Sequence, residues 1–401
     1  MKRLRMGLAC MGAVLVTAAG TGVAGGDEKP AAYCPAGFVN VMAFGAKGDG
    51  KTDDTDAFQL AANSGGGIFI PAGDFRISKP IYLDSRVMAG AGAGQSVITF
   101  TGEDPRQPII QAGSYTSLRD LTLRFADGLV TGGEQQGDRT AILTGAAWAL
   151  QRGASLRRVV IENVGTGVLS PAVGDAILGG RVEDACAFSV TCEDVTVRDF
   201  SFRGMDLSAE VRTGNVFRNL YFTSRFEADS AVYFSGEESE TVLDGLMVEN
   251  VRAARPVYMF GMRAMKAGNI ALYETEATVP GNGLVTFEDV NGSIDSLTIR
   301  DCRAGELLIR LGRGDYYVNT GVGSPESRLE VGTLLVDTVT AESLTGREFA
   351  FFGRSEGAKG RYTVDIGRYL YATVHGDEAA YETLRAAGTF LTVNKGEGGG
   401  L

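Results

Sequence analysis

Histidine and tryptophan are nearly absent from this chain of 401 residues, which contains one of each. A histidine-ligated metal site or a Ser-His-Asp triad would therefore have to rest on His375, close to the C-terminus. The spacing of the cysteines and carboxylates does not match a metal motif either. We therefore predict that the protein holds no metal.

Cysteine is also scarce, with five residues, of which Cys34, Cys186, Cys192 and Cys302 lie beyond the N-terminal segment. In an oxidising compartment Cys186 and Cys192 could form a disulfide across a short loop. They could equally be small side chains buried in a core. The sequence leaves both interpretations open.

Positive charge is in deficit, since 38 Lys and Arg face 49 Asp and Glu for a net charge of −11. This acidity argues against nucleic acid and against anionic membrane surfaces as partners. It argues only weakly against a polyanionic substrate, because a local basic groove can exist on an acidic protein.

The first 24 residues are typical of a secretory signal peptide. They combine a basic start, an apolar run and a small-residue cleavage site, at Lys2, Arg3 and Arg5, at Met6–Ala19 and at Gly22–Ala24. The alternative is a transmembrane anchor, which the glycine content of the stretch disfavours. We predict a signal peptide over 1–24, a linker over 25–37, and a secreted or periplasmic bacterial protein.

A nine-residue pattern of apolar and polar positions, apolar-x-x-apolar-x-apolar-x-polar-apolar, recurs along the chain. Its copies are Leu156–Val164, Cys192–Phe200, Leu243–Val251, Ile294–Cys302 and Val331–Val339, with weaker copies at Phe217–Arg225 and Ala267–Thr275. From residue 192 most copies begin about 25 residues apart, a period typical of a solenoid of stacked β-rich coils. Because Asp and Asn tolerate left-handed geometry, the polar position predicts a bend at Asn163, Asp199, Asn250 and Asp301.

A second strand is predicted several residues after each copy: Met205–Ala209, Ala231–Ser235, Pro256–Phe260, Leu284–Glu288, Leu307–Leu311 and Phe349–Phe352. Alternation predicts one inward face made of Leu207, Val232, Phe234, Val257, Met259, Val285, Phe287, Leu307 and Ile309. It predicts an outward face made of Asp206, Ser208, Tyr233, Ser235, Tyr258, Phe260, Thr286, Glu288, Leu308 and Arg310. A register shift of one residue would exchange the two faces.

The region before the repeats predicts a strand over Phe38–Phe44 and a helix from about Asp54 to Asn63, capped by Thr52 or Asp53. The apolar face of the helix, Ala57, Leu60 and Ala61, would cover the open end of the solenoid. Between strand and helix, Gly45–Thr52 (GAKGDGKT) matches the phosphate-binding loop pattern. We nevertheless predict no nucleotide partner, because the predicted solenoid has no alternating helices and Asp49, Asp53 and Asp54 would repel phosphate.

Three segments carry a family resemblance: Val39–Ala57 (VNVMAFGAKGDGKTDDTDA), Gly65–Ser78 (GGGIFIPAGDFRIS) and Met88–Phe100 (MAGAGAGQSVITF). They closely resemble the start of pectate-lyase-like right-handed β-helix proteins, which include exported polysaccharide lyases, glycoside hydrolases and phage tailspikes. The resemblance implies an all-β fold, a right-handed parallel β-helix with three sheets and an N-terminal capping helix. We therefore expect the β-helix over residues 38–375. Over residues 376–401 the sequence itself predicts a short amphipathic capping helix at Asp377–Ala387 and a flexible tail from Lys395.

The resemblance does not assign catalytic residues. The repeat region has no counterpart of the polygalacturonase Asn-Thr-Asp, Asp-Asp and His-Gly motifs. The Asp-Pro-His-Asp motif of alginate epimerases and the Arg-x-Pro-x-x-Arg motif of classical pectate lyases are also absent. Activity therefore has to be argued from the site itself.

The outward face predicts a groove for a linear polysaccharide. Its expected substrate-binding residues are aromatic or cationic: Tyr233, Tyr258, Phe260, Arg212, Arg263 and Arg310. Asp206, Glu237 and Glu288 are the candidate catalytic carboxylates, and Asp206 with Glu237 best fits the separation that glycoside hydrolysis needs. A lyase using Tyr233 or Tyr258 with Arg263 or Arg310 is the alternative, and only in that case would we expect a cofactor, Ca²⁺. A non-catalytic polysaccharide-binding protein is the third reading, and the oligomeric state is not predicted.

Overall fold

The computed structural model describes residues 34–144, 153–170, 190–207, 214–235, 240–262, 264–279, 282–288, 290–304, 307–312, 326–341, 349–351, 361–371, 374–375 and 391–400. The predicted signal peptide and the predicted C-terminal helix at Asp377–Ala387 lie outside these residues.

The described chain is almost entirely β-structure, and the first strands are short. They are β1 (Phe38–Asn40), β2 (Asp49–Asp53), β3 (Gly67–Ile70), β4 (Gly73–Ile77), β5 (Ile81–Leu83), β6 (Val87–Gly90), β7 (Ser96–Phe100), β8 (Ile110–Ala112), β9 (Ser117–Phe125) and β10 (Thr140–Thr144).

The repeat region begins with two long strands and continues with shorter ones. These are β11 (Ala154–Ser170), β12 (Val190–Leu207), β13 (Asn215–Thr223), β14 (Glu227–Ala228), β15 (Ser230–Ser235), β16 (Glu240–Glu249), β17 (Arg252–Ala253), β18 (Val257–Phe260), β19 (Ala264–Tyr273) and β20 (Glu276–Ala277).

The last coils repeat the same order. Their strands are β21 (Gly283–Glu288), β22 (Gly292–Arg300), β23 (Arg303–Ala304), β24 (Leu307–Gly312), β25 (Glu326–Asp337), β26 (Val339–Ala341), β27 (Phe349–Phe351), β28 (Arg361–Tyr371), β29 (Val374–His375) and β30 (Leu391–Gly400).

In the repeat region each strand pairs in parallel with the equivalent strand of the next coil, which forms three stacks. Sheet 1 carries the nine-residue pattern and continues through β13, β16, β19, β22 and β25. Sheet 2 contains the last residues of β11 and β12, then β15, β18, β21, β24 and β27. Sheet 3 contains β14, β17, β20, β23, β26 and β29. The protein is thus a right-handed parallel β-helix with three sheets, as the resemblance implied.

The core is a column of apolar side chains between the sheets. The first position of the nine-residue pattern stays in register from coil to coil, since Leu156 pairs with Cys192, Cys192 with Phe217 and Phe217 with Leu243. All four side chains are buried. The predicted alternation in sheet 2 is confirmed, because every predicted inward residue whose side chain the structure describes lies in this core.

The polar position of the repeat forms the predicted corner. Asn163, Asp199, Asn250 and Asp301 have φ angles of 52, 53, 53 and 53°, in the left-handed region. A second left-handed corner was not predicted. It lies at the third position of the same pattern, where Arg158, Asp194 and Asn219 have φ angles of 51, 55 and 52°.

The N-terminal cap differs from the prediction in three details. The strand ends at Asn40 and the chain turns into a 3-10 helix over Val41–Phe44, because the Asn40 side chain accepts a hydrogen bond from the Met42 amide. Helix α1 spans Thr55–Asn63 with Asp54 as its N-cap residue, while the Asp53 carboxylate accepts from the Thr55 amide. Leu60 was wrongly placed on the buried face, since 55% of it is exposed.

Phe58 occupies the position that Leu60 was expected to fill. It is fully buried and packs edge-to-face on Phe75, with ring centroids 5.5 Å apart. The helix therefore covers the first coils through an aromatic side chain rather than through leucine.

The C-terminal tail also differs from the prediction. The flexible tail expected from Lys395 is wrong for the described residues, because Leu391–Gly400 forms β30 and pairs in parallel with β28. A strand edge left open by the preceding coil gives even a glycine-rich segment backbone hydrogen-bond partners.

Candidate functional site

The outer face of sheet 2 brings the predicted aromatic residues together. Asp206 pairs with Tyr233, Tyr233 with Tyr258 and Tyr258 with Thr286, so these residues share one register position on neighbouring coils. Phe260 and Glu288 share the next outward position. Parallel pairing explains the arrangement, since equivalent outward side chains of adjacent coils stand about 4.8 Å apart.

The aromatic rings form one cluster. The Tyr233 and Tyr258 centroids are 4.9 Å apart, and Phe260 lies 5.9 Å from Tyr233 and 5.4 Å from Tyr258. Tyr233 and Phe260 are partly exposed, whereas Tyr258 is buried. The cluster therefore offers an apolar surface to a ligand at the positions of Tyr233 and Phe260.

Asp206 does not lie free in a groove as the sequence suggested. It is fully buried, and its Oδ2 accepts a hydrogen bond from Nη1 of Arg203 at 2.6 Å. An isolated charge there would be costly, so a buried carboxylate needs such a partner. The expectation that Asp206 is exposed is thus wrong, and its catalytic role stays a prediction.

Arg203 links Asp206 to a second carboxylate. Its Nε donates to Oδ2 of Asp229 at 2.6 Å, and Nη2 of Arg255 donates to the other oxygen of Asp229 at 3.1 Å. Burial would raise the pKa of Asp229, but the positive charges of Arg203 and Arg255 outweigh it and hold this pKa below its usual value. Asp229 is therefore ionised at neutral pH.

The two guanidinium groups also contact the aromatic cluster. The Arg203 Cζ atom lies 3.6 Å from the Tyr233 centroid, and that of Arg255 lies 4.7 Å from the Tyr258 centroid. Cation–π attraction of this kind strengthens as water is excluded. Arg203, Asp206, Asp229 and Arg255 form what we call the charged cluster, which supports the aromatic rings from one side.

Glu288 is the predicted carboxylate that lies beside the rings and is partly exposed. The Tyr258 hydroxyl donates a hydrogen bond to it. Burial first, and then the negative charge of Glu288, raise the pKa of Tyr258 well above its ordinary value. Burial likewise raises the pKa of Tyr233. Both phenols are therefore neutral at physiological pH.

The loop between β9 and β10, residues 126–139, reaches over this face of the molecule. The Ser201 hydroxyl donates to the Glu134 carboxylate, and Nε2 of Gln136 lies 3.4 Å from Oδ2 of Asp206. Sequence reasoning did not find this loop, because its contacts join residues about 70 positions apart.

The remaining predicted residues are not brought into the cluster by the described structure. Glu237, Arg212 and Arg263 lie outside the described residues. Arg310 occupies the register position after Thr286 in sheet 2, and its side chain is outside the description. Their roles stay predictions.

Sequence reasoning missed Arg203, Asp229 and Arg255. A usable signal existed, because Asp229 and Arg255 stand just before the second strand of successive coils and carry opposite charges. Aligning that position, in addition to the nine-residue pattern, would have placed them next to each other.

The phosphate-loop match has a different role in the fold. The backbone amides of Lys47 and Gly48 donate to the Asp54 carboxylate at 2.7 and 3.1 Å, and those of Lys51 and Thr52 donate to Asp49. The hydrogen bonds from Thr52 and Lys51 lower the pKa of Asp49 to about 2. Amides that would hold phosphate in a nucleotide site are therefore engaged by carboxylates of the chain itself, and the absence of a nucleotide partner stays a prediction.

Within the ranges given above, no group of three or more His, Cys, Asp and Glu side chains is arranged to hold a metal ion. Cys192 and Cys302 are buried free thiols, and burial raises the pKa of Cys302 to about 12. Cys186, the other half of the possible disulfide, lies outside the description. Among the residues described, no helix is long and apolar enough to span a membrane.

Comparisons with known proteins agree with the fold. Residues 38–254, just over half of the chain, match the family described as "Rhamnogalacturonase A/epimerase, pectate lyase-like". The pre-neck appendage protein of Bacillus phage B103 is 34% identical over 110 residues, which are 27% of this chain and 13% of that protein. Alginate lyase 7 of Azotobacter vinelandii is 44% identical over 72 residues, 15% of this chain and 8% of that enzyme.

A solved structure extends the likeness along the chain. The catalytic unit of a thermostable alpha-1,3-glucanase from Streptomyces thermodiastaticus superposes with a TM-score of 0.57 and 16% identity, covering 93% of this chain and 70% of that one. At this identity the superposition shows the fold alone, and the curated relatives are matched over a small part of their length. The family match over half of the sequence shows that the chain belongs to the pectate-lyase-like family of rhamnogalacturonase A and epimerases.

Proposed function

We propose that this protein is an exported enzyme that cleaves glycosidic bonds in a polysaccharide by hydrolysis. The observation that carries the proposal is the aromatic cluster of Tyr233, Tyr258 and Phe260, with the Glu288 carboxylate beside it on the outer face of sheet 2. Sugar rings present apolar faces and hydroxyl groups, so flat aromatic surfaces beside hydrogen-bonding charges suit them. An alginate lyase and an alpha-1,3-glucanase among the similar proteins support a carbohydrate substrate.

In this proposal Glu288 transfers the proton at the glycosidic oxygen. It is partly exposed, it lies at the rings, and the Tyr258 hydroxyl holds its orientation. Hydrolysis needs a second carboxylate roughly 5 to 10 Å away. We keep Glu237, predicted from the sequence, as the candidate for that role, because Asp206 is buried against Arg203.

Hydrolysis is favoured over β-elimination by the state of the phenols and of the arginines. A lyase needs a base for the proton next to a uronate carboxyl and a cation to neutralise that carboxyl. Burial raises the pKa of both Tyr233 and Tyr258, so at neutral pH both phenols are protonated and cannot accept the proton of the sugar. Arg203 and Arg255, the cations that contact the described rings, are already paired with Asp206 and Asp229.

The test is a panel of acidic and neutral polysaccharides incubated with the mature protein, with two readouts. Reducing ends report any cleavage, and ultraviolet absorbance reports the unsaturated sugar that only elimination forms. We expect reducing ends without absorbance on at least one polysaccharide. Glu288→Gln should then lower kcat by roughly 10²–10⁴-fold, the usual contribution of general acid–base catalysis.

The control variant is Glu249→Gln. Glu249 also accepts a hydrogen bond from a tyrosine, Tyr221, at 2.5 Å, but that pair lies on sheet 1, away from the rings. We expect the Glu249→Gln variant to cleave the polysaccharide at the rate of the natural protein. Absorbance rising with reducing ends would overturn hydrolysis in favour of the lyase. Binding without either signal would overturn catalysis and leave a polysaccharide-binding protein.

A further inference from the structure

The outer face of sheet 2 is open at one end and covered at the other. Leu143 and Leu169 hold the same outward register position as Asp206 on the two preceding coils. Their exposed fractions are only 9% and 1%. Two leucines on an outer face are expected to be exposed unless another segment covers them, whereas Tyr233, Phe260 and Glu288 on the following coils are partly exposed. The accessible face therefore begins at β15.

The loop of residues 126–139 stands at this boundary. It leaves β9, passes over the coil of β11 and contacts β12, where Ser201 donates to Glu134 and Gln136 donates to Asp206. It then returns to β10, and Arg106 pairs with Asp138 on the way. At its start, Val130 is buried in the core cluster. The loop is thus attached to the coils at both ends and at its middle.

The contact at Glu134 is fixed by several hydrogen bonds. Its carboxylate accepts from the backbone amides of Thr131 and Gly132 at 2.9 and 3.0 Å, as well as from Ser201. Burial would raise the pKa of Glu134, but these hydrogen bonds outweigh it and lower that pKa. The carboxylate that attaches the loop is therefore ionised at neutral pH, which strengthens each of the three bonds.

Among the described side chains, the open part of the face begins at β15. Its partly exposed residues, Tyr233, Phe260 and Glu288, lie on three successive coils, which together span roughly 10 Å along the helix axis. Thr286, the next residue of the outward column after Tyr258, is fully buried. On the other side of β15, a glycan chain continuing along the face would have to cross the covered coils of Leu143, Leu169 and Asp206.

We infer that the loop of residues 126–139 closes the substrate site at β12, so that the enzyme attacks polysaccharides from a chain end. The inference rests on the proposed function and adds the part of the polymer that is recognised. Glu134 and Gln136 act here as positioning residues, since they hold the loop against β12 rather than contact the scissile bond.

The first experiment compares viscosity with reducing ends during digestion of a long polysaccharide. Attack at chain ends releases short products from the first time point while the viscosity stays nearly constant. An early fall in viscosity would show cleavage inside the chain and would overturn the inference while leaving the proposed function intact. Absence of cleavage on every substrate would contradict the proposed function alone.

Binding supplies a readout that does not depend on cleavage. Calorimetric titration of Glu288→Gln with an oligosaccharide series should give an affinity that levels off at about the length of the open face. An affinity that keeps rising with oligosaccharide length would overturn the inference even if the protein proved non-catalytic.

The loop variants test the cause. Gln136→Ala and Glu134→Ala should detach the loop from β12 and open the site to internal stretches of the polymer. The loss of viscosity for each reducing end formed should then be several-fold larger. Gln136→Ala is the milder change and is used if Glu134→Ala folds poorly. Gln135→Ala is the matched control, because Gln135 is an exposed neighbour whose side-chain amide bonds only within the loop, to the Gly133 carbonyl. An unchanged product pattern in folded Gln136→Ala and Glu134→Ala would overturn the role of the loop.

Discussion

Arginine–carboxylate pairs join neighbouring coils on two faces of this β-helix, and the two sets differ in exposure. On sheet 1, Arg157 and Arg218 approach Glu193 from the coils on either side, and both arginines are about half exposed. In the charged cluster, Arg203 is 10% exposed and joins the fully buried Asp206 to Asp229. The paired groups are the same in both places, and their exposure to solvent determines how much each pair contributes to stability.

Exposed pairs are screened by water and salt, so those on sheet 1 add little to stability and mainly keep the outer face charged. A buried pair stabilises the folded state less than its geometry suggests, because both charges lose their hydration. The loss of one partner nevertheless leaves an uncompensated buried charge. The charged cluster is thus a place where single substitutions are expected to matter. The comparison can be tested with four sets of variants or conditions.

The largest effect is expected for Arg203→Met. The change removes the cation between Asp206 and Asp229 and leaves buried negative charge, which should lower the free energy of unfolding by about 3–5 kcal/mol. Urea unfolding followed by circular dichroism measures it. The variant Arg203→Met/Asp206→Leu should recover part of the loss. A single variant as stable as the natural protein would contradict the assigned burial of this charge.

A smaller effect is expected for Tyr258→Phe, which removes the hydrogen bond to Glu288. A buried hydrogen bond to a charged group contributes about 1.5–3 kcal/mol, so the loss of stability should fall in that range. Tyr221→Phe removes the equivalent bond of a pair on sheet 1 in which both residues are partly exposed, and it should cost less because water can replace the phenol at Glu249. Equal losses would show that the two tyrosine–glutamate pairs do not differ in environment.

Acidification should weaken the charged cluster through Asp229. Its folded pKa is lowered by Arg203 and Arg255, so its contribution is fully present above the unfolded value of about 3.9 and is lost as the pH falls below it. Urea midpoints measured from about pH 6 down to about pH 2 should decline with a steeper slope than those of Asp229→Asn. Parallel slopes would exclude Asp229 as a source of the acid sensitivity.

The smallest effect is expected for Arg157→Ala on sheet 1. Glu193 keeps Arg218 as a partner, with a distance of 2.9 Å, and the lost pair is exposed. The unfolding midpoint should stay within the error of the measurement at both low and high salt. A clear loss that disappears at high salt would mean that the exposed pairs contribute as a network.

The sequence predicted the coil because the nine-residue pattern reports which side chains meet in the core. Leu156, Cys192 and Phe217 recur at one position, and a parallel stack places recurring apolar positions on top of each other. Glycine, asparagine and aspartate at corners are equally local signals. For these reasons the fold class and the inward face of sheet 2 could be predicted from the sequence.

The site was less predictable, because its contacts depend on which coils are neighbours and on how loops fold back. Alternation placed Asp206 and Tyr233 on the outward face, but it gave no sign that Arg203 and the loop of residues 126–139 cover Asp206. The prediction therefore treated side chains that point away from the core as if they were exposed to solvent. Leu60 was misplaced for a related reason, since the larger Phe58 fills the space over Phe75.

The left-handed corners also show how coils shape one another. At Thr338 the chain has a φ angle of 52°, although a β-branched residue is strongly disfavoured in that region. Its coil stacks in full register on the coil of Asp301, whose corner has nearly the same angle. Because the coils stack in register, the bend of one coil favours the same bend in the next. A corner can therefore keep its left-handed conformation with a residue other than Asn or Asp.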